Sequence, residues 1–403
     1  MNSRSVKSVA HVSLMGLLIW TTTAMSATLE ELERRLAQLE DDAKISQEEA
    51  ADMAERNKNA FVMAGYGDIE YVASNASPTA VKTGFRIHHL SLMFKKQVSE
   101  DLKFFSEIEY EDGPYSTPSA ATCTSTTTLN PVPSPTTATT TTTCNGSTGS
   151  GKFLVEAVNF DYTLNHSTSV RVGRFFTPAG IWSVDHYPPF VSTQERPQHI
   201  RKIFPQVTDG ATLSGNHAAG DGFFNYDLFV GNGETTLFDG NSDSNSSAAT
   251  GMRVNMSLPV TKVFDVGATW YREEMNLGAA DTEQADKIAY GIHVKVKEGS
   301  FGFQGEYADG SYKPTLAGAD YHRKGYYGQL SYDISKWTLG LRHDFYDPKT
   351  TAAKGSTRVN ALIANYHVDK NTVLKWEHHL FDMEDPTKLD YFKSIASIVV
   401  NFD

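Results

Sequence analysis

Apolar and polar residues alternate along many short segments of this chain, and this pattern restricts the possible folds more than any other feature. In the segment 286–297, every second residue from Ile288 to Val296 is apolar, and the residues between them are small or polar. The segments 222–231 and 251–258 alternate in the same way. Successive side chains of a β-strand point to opposite faces, so each segment is predicted to form a strand with one apolar and one polar face.

Sixteen such segments follow one another, and most have the roughly 9–11 residues that a tilted strand needs to cross a bilayer. Short connections such as 165–167 alternate with long ones such as 177–206. Short and long turns on opposite rims are typical of transmembrane barrels, and a barrel of this strand number encloses water. We therefore predict an all-β fold, a 16-stranded antiparallel transmembrane β-barrel. The predicted strands are 61–73, 84–97, 101–112, 152–164, 168–176, 207–214, 222–231, 251–258, 264–273, 286–297, 300–309, 322–333, 336–346, 357–368, 371–382 and 391–402.

A soluble β-sandwich or a solenoid would show a similar alternation and is the competing interpretation. A sandwich buries the apolar face of each sheet against the other sheet, and it seldom contains so many strands in one unit. The chain also ends in an apolar segment with Phe402 as its penultimate residue, which is similar to the assembly signal of bacterial outer-membrane barrels. These features favour the barrel and predict a location in the outer membrane of a Gram-negative bacterium.

Residues 1–27 have the composition of an export signal. Arg4 and Lys7 precede a short apolar run, and small residues follow it, so we predict cleavage after Ser26 or Ala27. The apolar run is shorter than the ~18–20 residues of a membrane-spanning helix, which argues against an uncleaved anchor. The signal contains two basic and no acidic residues, so the exported chain carries 34 − 48 = −14 formal charges.

The segment 28–58 is highly charged and contains neither glycine nor proline. Leu29, Leu32, Leu36 and Leu39 are separated by steps of three and four residues, which predicts a short N-terminal coiled-coil helix. Such a short helix is marginal alone, so assembly into a homotrimer would explain it. The alternative is a solvated amphipathic helix without a partner. The predicted order is thus a signal at 1–27, a periplasmic coiled coil at 28–58 and a barrel at 59–403.

The two cysteines, Cys123 and Cys144, lie in one segment that is rich in threonine, serine and proline. An exported protein meets an oxidising compartment, so we predict a disulfide between them. Closing a loop of roughly 20 residues in this way stabilises a fold by about 3 kcal/mol in the chain-entropy model. The low-complexity stretch 122–143 is predicted to be a surface-exposed insert.

The long connection 177–206 is apolar and aromatic, unlike the asparagine- and serine-rich connection 240–250. Side chains such as Trp182 and Phe190 need a surface to pack on. Folding into the barrel would bury them and narrow the pore. Alternatively, the connection 177–206 packs against a neighbouring subunit. The two arrangements can also occur together.

This connection also carries cationic side chains that could select solutes. Arg196, Arg201 and Lys202, together with His186 and His199, would present positive charge at a constriction, and rings of basic side chains select anions in pores. Further basic candidates on the predicted water-facing side of the strands are Arg171, Arg253, Lys295, Lys297, Arg323, Arg342 and Lys375. Acidic residues on the same side are Glu107, Glu109, Asp227, Glu306 and Glu377.

The passage from Val172 to Gly180 is similar to a strand-to-loop passage of the phosphate-selective (O and P type) porins. Phe85–Ile87 and Leu102–Tyr110 also resemble early strands of that family, and the segment 28–58 resembles the coil of trimeric dicarboxylate-type porins. The resemblance implies a sixteen-stranded trimer with a basic, loop-narrowed pore, and it adds Arg174 to the candidates for the constriction. The arginine ladder of the family has no residue-by-residue counterpart here, so we expect a broader anion preference.

We therefore predict an outer-membrane porin for passive diffusion of small anions such as phosphate or carboxylates. A structural or adhesion barrel with a closed pore is the alternative. The predicted partners are small anionic solutes, outer-membrane lipid and further copies of the chain, without nucleic acid or cofactors.

The sequence predicts no enzyme, because it lacks nucleophile-elbow, HExxH and phosphate-loop motifs. An outer-membrane hydrolase is a further alternative, since a Ser/His triad need not show in sequence. It also predicts no metal site. The adjacent pairs His88–His89 and His378–His379 should point to opposite faces of their strands, so neither pair is placed to chelate one ion.

Overall fold

The alternating segments form a closed sheet in the computed structural model. The model describes residues 60–76, 81, 83–113, 122–129, 138–145, 151–234, 247–259, 263–276, 284–315, 318–350, 355–385 and 387–402. Phe61–Asp403 is one structural unit. The predicted export signal and coiled-coil helix lie outside the described residues.

The described residues form eighteen strands, and sixteen of them make up the barrel. The remaining two, β4 and β5, pair only with each other. The strands are β1 Phe61–Ser74, β2 Gly84–Gln97, β3 Leu102–Gly113, β4 Thr122–Leu129, β5 Ala138–Asn145, β6 Lys152–Asn165, β7 Thr168–Phe176, β8 Val207–Ala219, β9 Gly222–Gly231, β10 Ala249–Ser257, β11 Val263–Asn276, β12 Gln284–Glu298, β13 Phe301–Pro314, β14 Tyr321–Ile334, β15 Trp337–Asp347, β16 Thr357–His367, β17 Thr372–Met383 and β18 Tyr391–Phe402.

Every pair of neighbouring barrel strands is antiparallel, and β1 pairs with β18 to close the cylinder. β3 pairs with β6, so the β4–β5 hairpin is an insertion between two adjacent strands of the wall. Each of the sixteen predicted segments corresponds to one barrel strand. The prediction of a 16-stranded antiparallel barrel is therefore confirmed.

The outer surface of the barrel is apolar and its inner surface is largely polar. In β15, Leu341 is 56% exposed on the outside, whereas the next residue, Arg342, is 2% exposed on the inside. A soluble sandwich would bury the apolar face, so that interpretation is wrong. None of the helices among the described residues has the length and hydropathy to cross a membrane.

Three register shifts occur in the described barrel strands, and two of them are β-bulges that turn an extra side chain to the inner side of the wall. Asp68 pairs with His89 and the next residue of β1 pairs with Ile87, so His88 is the extra residue of its strand. A second bulge lies at Glu156 in β6. The first bulge turns both histidines inward, with their ring centroids 3.7 Å apart. The prediction that His88 and His89 point to opposite faces is therefore wrong.

The register of β4 and β5 bears on the predicted disulfide. Cys123 lies directly opposite Cys144 in this antiparallel pair. The Cα atoms of directly opposed residues are about 4.5–5.5 Å apart, which is within the span of a disulfide. The backbone is thus compatible with the bond, which stays a prediction.

A charge on the outer face should test the orientation of the wall. We expect Leu341→Arg, near the middle of β15, to destabilise the folded barrel in lipid by about 2–4 kcal/mol, because the cation would face hydrocarbon. Gln304→Arg, on the inner face of β13, is the control and should be tolerated. Urea unfolding in lipid vesicles measures both variants, and equal stability would contradict the assigned faces.

Candidate functional site

The connection 177–206 enters the barrel and is held by side chains of the wall. The backbone N–H of Gly180 donates to Thr269 Oγ1 of β11 at 3.3 Å, and that of Trp182 donates to Glu306 Oε1 of β13 at 3.0 Å. On another part of the wall, the Tyr187 hydroxyl donates to Glu107 Oε2 of β3 at 3.3 Å. We call residues 177–206 the interior loop.

The middle of the interior loop is fixed to β16 and β17 through its backbone carbonyls. Lys375 Nζ donates to the carbonyl oxygens of Pro188 at 2.5 Å and Val191 at 2.7 Å. Asn365 Nδ2 donates to the carbonyl oxygen of Ser192 at 2.9 Å. Backbone carbonyls that are buried against the wall need donors of this kind in place of water.

Arg342 of β15 holds the next part of the loop. Its guanidinium donates to Thr193 Oγ1 at 2.5 Å and to the carbonyl oxygen of Glu195 at 3.0 Å. It also forms an ion pair with Asp344 at 3.0 Å. Gln194 donates to Asp68 Oδ2 of β1 at 2.6 Å, so the loop reaches the strand that closes the barrel.

The apolar residues of the interior loop explain why it folds inward. Trp182 and Ile203 are completely buried, and Phe204 packs in a cluster with wall residues that include Tyr271 and Ala308. Phe190 is the exception and remains 69% exposed. The loop therefore lies inside the barrel, as the constriction interpretation requires.

Three residues that were predicted to line the pore, Arg174, Arg342 and Lys375, do not face the open lumen. Arg342 and Lys375 are buried behind the interior loop and serve as its anchors, because Arg342 Nη1 and Lys375 Nζ donate to oxygens of the loop. Arg174 lies three residues after Arg171 and consequently on the opposite, outer face of β7. There its guanidinium forms two hydrogen bonds of 2.7 Å to the carboxylate of Asp209.

Four predicted cations do lie on the inner wall, each next to a carboxylate. The nitrogen-to-oxygen distances are 2.9 Å for Arg171–Asp161, 3.8 Å for Arg253–Asp227, 3.1 Å for Lys295–Asp185 and 2.5 Å for Lys297–Asp333. Arg323 instead stacks near the ring of Tyr312, 4.7 Å from its centroid. Pairing of this kind lowers the charge that a passing solute experiences.

The remaining predicted cations, Arg196, Arg201 and Lys202, come together at one cavity inside the barrel. The cavity has a volume of about 310 Å³. Its other lining includes Glu111 and Asp112 of β3. Sequence analysis did not identify these two carboxylates, although Glu111 continues the alternation that begins with Glu107 and Glu109. We call this cavity and its lining the constriction cavity.

The loop cations differ in how their charges are balanced. Among the described residues, Arg196 and Lys202 form no ion pair, and Lys202 Nζ lies 4.6 Å from the ring centroid of Tyr346. Arg201 is 3.9 Å from Glu156. Arg201 also has a backbone φ of 62°, a left-handed conformation that is uncommon for a side chain of this size.

Burial opposes a positive charge on the two loop histidines, His186 and His199. Burial, followed by the charges of Lys202 and Arg342, lowers the pKa of His199 to about 3. Burial likewise lowers the pKa of His186. Burial thus disfavours the charged form of both histidines, and their contribution to a cationic constriction stays a prediction.

Known structures share this architecture at low sequence identity. An anion-selective porin from Comamonas acidovorans is 14% identical, with a TM-score of 0.57, covering 85% of this chain and 99% of that chain. OmpT of Vibrio cholerae in its trimer form is 10% identical, with a TM-score of 0.54 and coverages of 85% and 100%. OmpF of Salmonella typhi in complex with daunomycin is 14% identical, with a TM-score of 0.54 and coverages of 86% and 99%. These similarities show the fold.

No curated protein matches this sequence. The family model described as Gram-negative porin matches residues 145–385, which is more than half of the chain. The chain therefore belongs to the Gram-negative porin family and is a channel-type β-barrel of the outer membrane.

Proposed function

We propose that the chain forms a pore for passive diffusion of small anions, such as phosphate or small carboxylates. The observation that carries this proposal is the grouping of Arg196, Arg201 and Lys202 at the constriction cavity. A solute that crosses the barrel has to pass the interior loop. A single charge pair at 4 Å is worth ~1 kcal/mol in water and ~4 kcal/mol at an effective dielectric constant near 20. Three cations at a narrow passage are thus sufficient to bias permeation.

The wall opposite the loop is acidic, so the two sets of charges have to be compared. Asp112 and Glu195 are each paired with a cation, Asp112 with Arg86 at 2.6 Å and Glu195 with Lys393 at 2.5 Å. Other carboxylates, among them Glu109, are buried in the wall. The side chains of the three loop cations are only partly buried. Of the carboxylates that line the cavity, only Glu111 is then left without a lysine or arginine partner among the described residues, against the unpaired loop cations Arg196 and Lys202, so positive charge is in excess.

The conformation of Arg201 supports a functional role for this part of the loop. A left-handed backbone costs an ordinary residue roughly 1–2 kcal/mol. Such conformations are found preferentially at functional sites, where the surrounding structure maintains them. The bend at Arg201 lies between two buried residues, Ile203 and His199, whose packing fixes the course of the chain.

We further propose that the pore is a homotrimer in contact with outer-membrane lipid. The exposed apolar outer surface supports the lipid contact. The trimer form of Vibrio cholerae OmpT, which has the same fold, supports the assembly. A coiled coil at 28–58 would add a contact between the three chains.

Removal of the loop cations should reduce anion preference. We expect wild-type pores in a potassium chloride gradient to prefer chloride. Each of Arg196→Ala, Arg201→Ala and Lys202→Ala should lower the chloride-to-potassium permeability ratio by about fivefold or less, as a loss of ~1 kcal/mol implies. Reversal potentials in planar bilayers measure this ratio.

The matched control is Lys388→Ala, which removes an exposed cation from the β17–β18 connection and should leave the ratio unchanged. A wild-type pore that prefers potassium would contradict the anion proposal. Equal changes of the permeability ratio in Lys388→Ala and in the loop variants would contradict it as well. A folded trimer without conductance would favour the closed-pore alternative.

Release of the interior loop should widen the pore. Lys375→Met keeps most of the side-chain volume but leaves the carbonyls of Pro188 and Val191 without their donor, at a cost of roughly 1–3 kcal/mol for each buried group. We expect a larger and noisier single-channel conductance. Recording at 1 M salt, where the Debye length is ~3 Å, suppresses the effect of the lost charge itself.

Lys297→Met is the control for this experiment, because Lys297 is paired with Asp333 of the wall and forms no hydrogen bond to the loop among the described residues. Its conductance at high salt should equal that of the wild type. If Lys375→Met and Lys297→Met gave the same conductance, the anchoring role of Lys375 would be disproved.

A further inference from the structure

The bulge at His88 has a consequence for the neighbouring residue, His89. His89 Nε2 lies 3.8 Å from Glu111 Oε1 of the adjacent strand, and ligand atoms of His89, Glu109 and Glu111 all lie within 4.8 Å of one another. A separation of 3.8 Å is too long for a hydrogen bond. Two donors that bind one Zn²⁺ ion at 2.0–2.1 Å in a tetrahedron are about 3.3 Å apart, so a small movement would suffice.

Two further residues orient these ligand atoms. Asp68 Oδ1 is 3.0 Å from His89 Nδ1, which places the ring proton on Nδ1 and leaves the Nε2 lone pair directed at the carboxylates. The Tyr66 hydroxyl donates to Glu109 Oε1 at 2.8 Å, so the second oxygen, Oε2, is the one left for a metal ion. A histidine that donates to a carboxylate through its other nitrogen is the usual arrangement in zinc proteins.

The second carboxylate oxygen of Glu109 has no hydrogen-bond partner among the described residues, although Glu109 is only 1% exposed. Neither Glu109 nor Glu111 forms an ion pair with a lysine or an arginine of the described residues. A buried carboxylate without compensation is costly, and a bound cation would supply that compensation. The orphaned oxygen is thus an observation independent of the spacing of the cluster.

The cluster is accessible from the pore. His89 and Glu111 both line the constriction cavity, so an ion can reach the site from the lumen. Three protein ligands next to a water-filled space leave a fourth position for water or a solute.

We propose that His89, Glu109 and Glu111 bind one divalent transition-metal ion, with Asp68 and Tyr66 as positioning residues. The imidazole ligand favours first-row transition metals such as Zn²⁺ over Ca²⁺ and Mg²⁺, which take oxygen ligands. His89 and Glu111 share the lining of the constriction cavity with the loop cations. Its existence does not depend on the ion preference of the pore.

Calorimetric titration of the folded full chain in detergent, without an affinity tag, with zinc chloride tests this site. We expect one Zn²⁺ ion per chain, and at least tenfold weaker binding by Glu111→Gln and by His89→Gln. Excess Ca²⁺ should not displace the zinc. Heat-modifiable migration on a gel verifies that each variant is folded. If the His89 variant does not fold, Glu111→Gln, which changes a partly exposed residue near a strand end, still decides the question.

The control is His322→Gln, which removes another histidine that contacts a carboxylate, Asp309 at 2.7 Å, outside the proposed site. Its zinc affinity should equal that of the wild type. X-ray absorption at the zinc edge should show one imidazole nitrogen and carboxylate oxygens at about 2.0–2.2 Å.

Absence of zinc binding by the folded wild type at millimolar zinc would overturn the proposal. Unchanged affinity of both Glu111→Gln and His89→Gln, or a zinc shell without imidazole, would do so as well. Because no readout uses conductance, failure of the metal site would leave the proposed pore function untouched, and failure of that function would leave the site testable.

Discussion

The pairing of β1 with β18 is the interaction on which the rest of the structure depends. It runs from Gly65 opposite Phe402 to Ser74 opposite Lys393 and removes both free edges of the sheet. In hydrocarbon, every unpaired backbone group costs several kcal/mol, so an open sheet of this kind has no stable place in a membrane. Gly65 permits close packing on both sides of β1, because a Cβ atom there would lie 2.2 Å from the backbone oxygen of Ser91 in β2 and 2.8 Å from the ring of Phe402 in β18.

Closure of the wall also determines what the interior must provide. The interior loop brings irregular backbone into a space without β-sheet partners, so its polar groups need donors and acceptors from wall side chains. Lys375, Arg342 and Asn365 fulfil this role. Much of the charge on the inner wall thus serves to position a loop, and the charge left for solutes is correspondingly concentrated at the constriction cavity.

The wall could be predicted from sequence because its rule is local. Alternation with a period of two, read segment by segment, identified all sixteen barrel strands. The same alternation would have assigned Arg174 to the outer face, since Arg174 lies three residues, an odd number, after the inward-facing Arg171. The bulge at His88 has no such signal, because it depends on the register of the neighbouring strand. The roles of Arg342 and Lys375 depend on the path of a distant loop and are equally invisible to a local rule.

Arg196 and Arg201 of the loop and Glu111 of the wall line the same cavity, so positive and negative charges lie on different sides of the passage. Charges of opposite sign on facing sides produce a field that runs across the channel, at right angles to the path of permeation. A spherical ion responds chiefly to the net potential, but an elongated dipolar molecule such as a zwitterion lowers its energy by turning its ends toward the two sides. The orientation of such a molecule, and not its total charge alone, would then determine its rate of permeation past the loop.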